Sequence, residues 1–336
     1  RMSTRTALRA LKQRCGSLVS ILREAQPPSV KIVAGDMSLG FLAVLAFACC
    51  WPDHEIVRDF VRGFDIVGDI PESGVLRGNV RPAENSMSDL FVSAAKRARS
   101  NPYPGEHEPV DLAFMGEAIR ALSTKGIADA SLSSAQDLDE RFGKGEWLYA
   151  PSFVATQASG KKRLISNAKV FQNRGTALVE TVGLCTAVNP GLVARGFISA
   201  AKELCVDLSG DALESGGEDM PDAYLICPVS PEELGANVVE VPPGVLGEER
   251  RFVIVYAMLF GLGSSVSNFS RFSVFFQAAC HIESNRPRLD QLGMVVSRQP
   301  DVRLLYAAAP IGGTMWNWQA WMRTESSARL RRRRVH

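Results

Sequence analysis

The sequence predicts an α+β fold, and three observations carry that expectation. Apolar residues at helical spacing dominate the early part of the chain. A series of short strand-like segments, punctuated by Gly and Pro, runs from Trp147 to Tyr256. An apolar helix, Phe269 to Cys280, follows the last of them.

Taken in order, residues 1–25 give a basic helical pattern in which Leu8, Leu11, Leu18 and Leu22 recur at spacings of three, seven and four. Pro27 and Pro28 end it. Met37 to Trp51 is the most apolar run, bounded by Asp36 and by Pro52 and Asp53. It falls short of the ~18 residues that cross a bilayer, so a buried core helix is expected. Ile56, Val57, Phe60 and Val61 continue the apolar pattern, and the Gly and Pro punctuation of residues 63–74 predicts strands and turns.

Asn101-Pro102-Tyr103-Pro104-Gly105 is a loop and a candidate boundary. Leu112 to Lys125 predicts a helix stopped by Gly126, and Ser133 to Asp137 the capped start of another. Trp147 to Thr156 predicts a strand. Gly160 to Arg163 forms a basic turn into a short strand at Leu164 and Ile165. Gly175 to Cys205 is expected to be mostly helical, and Ser209 to Glu218 a polar loop. Tyr224 to Val229, Asn237 to Val241 and Arg251 to Tyr256 predict strands. Beyond Ser284 the patterning decays, and the chain ends in a basic run, Arg329 to Arg334. No internal repeat is present.

Composition narrows the function class. The 336 residues are 46% hydrophobic and 22% charged, which is globular rather than disordered or fibrous. A net charge of +2 does not by itself announce a polyanion partner, so any nucleic-acid surface has to come from local clustering of Lys and Arg. The seven cysteines are scattered, with no CxxC pair and no His at ligand spacing. They read as buried hydrophobes in an intracellular, reducing setting without zinc. The chain opens with Arg1 and no leader is read at its start.

Three segments carry chemistry. The first is Asp219-Met220-Pro221-Asp222-Ala223-Tyr224, followed by an apolar stretch to Val229. Alone, it is a turn leading into a strand. Chemically, Mg2+ takes hard oxygen ligands from one or two carboxylates plus substrate phosphates, and an Asp at a rigid strand end supplies one. The second is Gly160-Lys161-Lys162-Arg163-Leu164-Ile165-Ser166-Asn167, whose cations could neutralise a triphosphate. The third is Tyr256-Ala257-Met258-Leu259-Phe260-Gly261-Leu262-Gly263, where glycine permits close backbone approach. Phe269, Phe272 and Phe276 after it are at core-facing helical spacing.

Taken in chain order, with the basic segment first, the Asp219 segment second and the glycine segment third, the three segments resemble motifs of reverse transcriptases, especially those of retrotransposons. The resemblance covers roughly Phe142 to Cys280. It implies an RNA-directed DNA polymerase in which a primer 3′-hydroxyl attacks the α-phosphate of a deoxynucleotide on an RNA or DNA template. By the resemblance, Asp219 is catalytic and the Mg2+ ligand, Asp222 and Ala223 lie along the triphosphate, and Tyr224 senses the sugar. Lys162 and Arg163 hold phosphates, while Gly261 and Gly263 approach nucleotide and template. Fingers and a palm with an antiparallel sheet carrying Asp219 are implied.

The sequence departs from the family at several points: Leu213 to Glu218 is polar where a buried strand is expected, Leu225 and Cys227 stand where polar or aromatic residues are commoner, and one motif is absent. No Asp-Asp pair occurs anywhere in it, so the aromatic-x-Asp-Asp motif that should follow the glycine-led helix is missing. Little or no polymerase activity is therefore expected, and the palm should be incomplete. The expected division is a helical flanking region at 1–100, fingers and partial palm at 101–283, and a divergent segment with a basic tail at 284–336. The alternatives are a non-catalytic nucleic-acid-binding remnant of a mobile element and an unrelated α/β metabolic enzyme. A membrane partner is not expected.

Overall fold

The computed structural model describes residues 4–100, 107–182 and 222–291, with residues 195 and 199 besides. The chain forms two compact units. The first comprises Arg1–Gly183 and Ala223–Phe272, the second Leu184–Asp222 and Ser273–His336. The first unit thus runs across the boundary expected at residue 100.

The unit opens with α1 (Thr4–Arg14) and α2 (Gly16–Ala25), which part at Cys15, where the basic pattern suggests one continuous helix. Glycine directly after the break weakens any continuation, by about 1 kcal/mol relative to alanine. Proline at its first position starts α3 (Pro28–Ala34), because its fixed φ suits a helix entry and its missing N–H is not needed there. The apolar run becomes α4 (Leu39–Ala48), which buries Leu39, Gly40, Phe41, Leu42 and Leu45. A Cβ on Gly40 would stand 2.7 Å from the Val19 nitrogen, so glycine is what lets α4 lie this close to α2.

α4 ends in a Schellman cap: Trp51 N–H donates to Ala46 O (2.9 Å) and Cys50 N–H to Phe47 O (3.0 Å), with Cys50 in the left-handed region at φ 48°. Among the described residues no single helix is long and apolar enough to cross a membrane. The pair α3 and α4, bent by 75°, passes that test only by length and composition. α5 (Glu55–Arg62) then buries Ile56 and Phe60.

Small sheets complete the unit, so the α+β class holds. β1 (Gly68–Ile70) and β2 (Arg77–Arg81) flank β6 (Thr176–Thr181), β1 parallel and β2 antiparallel to it. β3 (Tyr149–Ala150) runs parallel to β7 (Val238–Val241), which pairs antiparallel with β8 (Arg251–Ile254). β4 (Ser152–Thr156) and β5 (Lys162–Ser166) form a hairpin. The sheet next to the candidate motifs is therefore mixed and not antiparallel throughout.

Helices α6 (Met87–Ser100), α7 (Pro109–Thr124) and α8 (Ala135–Phe142) stand between the strands in sequence. α8 has the expected capped start: Ser134 and Asp137 exchange side chain-to-backbone bonds in a capping box. The core of the β3–β7–β8 sheet is aromatic. Trp147 and Tyr149 each pack edge-on against Phe252 (5.1 and 5.3 Å between centroids). Arg250 lies over Tyr149 and Phe252, pairs with buried Glu240, and donates to the Arg97 and Ala98 carbonyls at the end of α6. The last element, α9, spans Gly263–Gln291.

Two expectations are corrected. Residues 176–181, expected as helix, are the central strand β6. Thr176, Leu178 and Glu180 are buried in alternation, the period of a strand, and Glu180 is satisfied by Ser73 N–H (2.8 Å), the Ser73 hydroxyl and Gly74 N–H (2.7 Å). The remainder of that stretch lies almost wholly outside the described residues. Tyr224 to Val229, expected as a strand, begins as a 3-10 turn at Ala223–Ile226. Asp222 at φ 61° and Pro228, which has no N–H, interrupt a ladder on both sides. Only single bridges remain, Val229 to Phe64 and Pro228 to Ala257.

Candidate functional site

The basic segment forms the return strand of a hairpin. Gly160, at φ 81°, makes the turn, and β5 pairs with β4 from Lys162 opposite Thr156 to Ser166 opposite Ser152. Arg163 is exposed. Lys162 is half-buried, and its ammonium is held by Asp111 in the first turn of α7, Nζ to Oδ1 2.6 Å. The lysine is thus engaged by a carboxylate in this structure. Four residues on, at ~3.3 Å per residue, Ser166 lies ~13 Å along the strand.

At the Ser166 end, the first of the candidate glycines meets the basic strand. Gly261 adopts φ 115°, and a Cβ there would overlap the Ser166 carbonyl oxygen. Both facts require glycine, one by backbone conformation and the other by contact. Two residues later Gly263 opens α9, and its N–H donates to Asn173 Oδ1 at 2.7 Å. The same amide donates through Nδ2 to Gly261 O at 2.7 Å. The Arg81 guanidinium donates to Asn173 O at 3.0 Å and stands 3.3 Å from where a Gly263 Cβ would be.

The aromatic of the first motif joins this place through packing. The Tyr224 ring meets Phe260 edge-on at 5.0 Å and Phe269 at 5.4 Å. Burial pushes its phenol above the ordinary value, so it stays protonated and able to donate a hydrogen bond. Ala223 is half-buried beside it, and Cys227 is fully buried, its thiol pushed up by burial and inert.

Of the predicted site residues, Gly261, Gly263 and Tyr224 therefore gather around the Phe260–Gly261 turn, with β5 abutting at Ser166. Lys162 is turned toward Asp111. Asp222 is exposed and belongs to the second unit. Asp219 lies outside the described residues. Among the described residues no three His, Cys, Asp or Glu side chains gather as a metal site. Asn173 and Arg81 were not legible as site residues. Asn173 sits in a 3-10 turn, Gln172–Arg174, with no periodic signal, and Arg81 in a strand exposed at every position. No protein-family model matches the chain, and no curated protein matches it in sequence.

Proposed function

We propose that this chain is a reverse-transcriptase-like domain that binds a primer–template and a deoxynucleoside triphosphate, with little or no nucleotide addition. The observation that carries the reading is the contact of Gly261 with Ser166, which joins the basic strand and the glycine turn in one place, with Tyr224 packed behind Phe260. Cations on one element and a closely held glycine turn on the next are what a polyphosphate and a base need from a binding site.

In this reading Arg163 and Lys162 meet phosphate, Lys162 after exchanging Asp111 for the ligand. By the resemblance the turn at Gly261 and Gly263 approaches the nucleotide and template, with Ser166, Asn173 and Arg81 already against its side-chain-free faces. Asp222 and Ala223 lie along the triphosphate, and Tyr224 backs the sugar. Asp219 would be the carboxylate that holds Mg2+, which supplies charge neutralisation at the transferring phosphoryl group when bound. The missing aromatic-x-Asp-Asp motif argues against efficient turnover.

The test is equilibrium binding of a fluorescent RNA–DNA primer–template over a salt series, with extension followed in the same samples. Expected is an affinity whose logarithm falls linearly with the logarithm of salt concentration, and extension at or near background. Salt-sensitive primer–template binding with no binding of a deoxynucleoside triphosphate favours the nucleic-acid-binding remnant, and divalent-dependent extension excludes it. No binding, or binding indifferent to salt, sinks both.

A further inference from the structure

We infer that Asn173 is a positioning residue that fixes the spacing between the basic strand β5 and the Gly261–Gly263 turn, a role that rests on the functional reading above. A single side-chain amide makes two opposed bonds, donating to Gly261 O and accepting from Gly263 N–H, each at 2.7 Å. Only one orientation of the amide satisfies both, because the carbonyl needs the NH2 group and the N–H needs the oxygen. The side chain therefore grips the turn at two points two residues apart.

The grip is useful because its own base is anchored to the basic segment. Asn173 N–H donates to Ala168 O at 2.9 Å, and Ala168 N–H donates to Ser166 O, the last residue of β5, at 2.9 Å. Arg81 holds the Asn173 carbonyl from the other side. The Gly263 amide is one of the N-terminal donors that α9 cannot satisfy from within, and Asn173 caps it from a distant segment. Strand, turn and helix start are thus tied through one residue, and a nucleotide touching both cations and glycines would sense any slack between them.

The experiment compares wild type with Asn173→Ala and Gln172→Ala, measuring three quantities on each full chain. These are melting temperature, affinity for a fluorescent deoxynucleoside triphosphate, and affinity for the RNA–DNA primer–template. Gln172 is the control: it is fully buried and bonds Ala236 O (3.0 Å) without touching the turn. Expected is about tenfold weaker nucleotide binding for Asn173→Ala, the scale of losing one or two hydrogen bonds, with primer–template affinity within about twofold. Gln172→Ala should lower the melting temperature and leave the ratio of the two affinities alone. Gly261→Ala should reproduce the Asn173→Ala ratio. Asn173→Ala with wild-type nucleotide binding overturns this inference alone, and so does an equal loss in Gln172→Ala. A wild-type chain that binds neither ligand overturns the functional reading together with it.

Discussion

Glu233 is a carboxylate whose surroundings work against its charge. Its Oε2 accepts from the backbone N–H groups of Ile66 and Val67, the second at 3.2 Å, and so ties the 3-10 turn Pro231–Ala236 to the segment before β1. Burial pushes its pKa up to about 7, and Asp65 adds to that. The Ile66 and Val67 donors and Arg62 oppose the rise without cancelling it. The unfolded value is ~4.3. A folded value above the unfolded one means that the folded state holds the proton more tightly. The stabilisation is therefore complete below pH ~4.3 and is lost as pH rises to about 7. Glu233→Gln removes the ionisation. The melting temperature of Glu233→Gln relative to wild type should be higher at pH 8 than at pH 5, by the order of a kcal/mol in stability once partial exposure is allowed for. A difference that does not change with pH would show that Glu233 is ionised at no cost.

Elements, more than single residues, decide whether the basic hairpin can do what its sequence suggests. β5 presents Lys162 to the first turn of α7, and Asp111 closes on it. A phosphate reaching Lys162 has to replace that carboxylate. Asp111→Asn keeps the side chain's size and removes its charge, so inorganic tripolyphosphate should bind about threefold more tightly, the worth of a half-exposed ion pair. Unchanged affinity, measured by calorimetry against Asp111→Asn, would mean that Lys162 does not meet phosphate. The same scale shows why some elements were legible and others not. Ser134 and Asp137 announce α8 because a capping box is a local pattern, complete within four residues. Thr176–Thr181 was missed because its partners, β1 and β2, are far away in sequence, and because a buried Glu180 looks like a solvent-facing residue until Ser73 and Gly74 are seen to bond it.

Across the whole molecule, the glycines of the candidate turn could be read from sequence, since left-handed backbone and close approach both select for glycine. What holds the turn could not, since Asn173 and Arg81 reach it from segments with no shared pattern. The same holds for a long-range tie in the first unit. Arg271 on α9 binds Asp53 through Nε (2.8 Å) and Nη2 (2.9 Å), Asp59 through Nη2 (2.8 Å), and Asn268 through Nη1 (3.1 Å). Arg271, Asp53 and Asp59 are all buried, and the guanidinium also faces the Phe64 ring at 5.8 Å. Two carboxylates from the chain around α5 thus share one cation 218 positions from Asp53, with the half-exposed Arg62 (3.6 Å) and Arg58 (4.0 Å) also beside Asp59. Removing one partner of such a buried set costs about 3–5 kcal/mol, because the others keep their desolvation penalty and lose their compensation. Arg271→Met should therefore lower the urea midpoint sharply and expose the α1–α5 region to protease before the rest. Adding Asp53→Leu and Asp59→Leu to Arg271→Met should recover most of the loss, since an apolar trio has no charge to leave stranded. A triple variant no better than Arg271→Met alone would show that the three side chains do not act as a set, and that the N-terminal helices are held to α9 by packing alone.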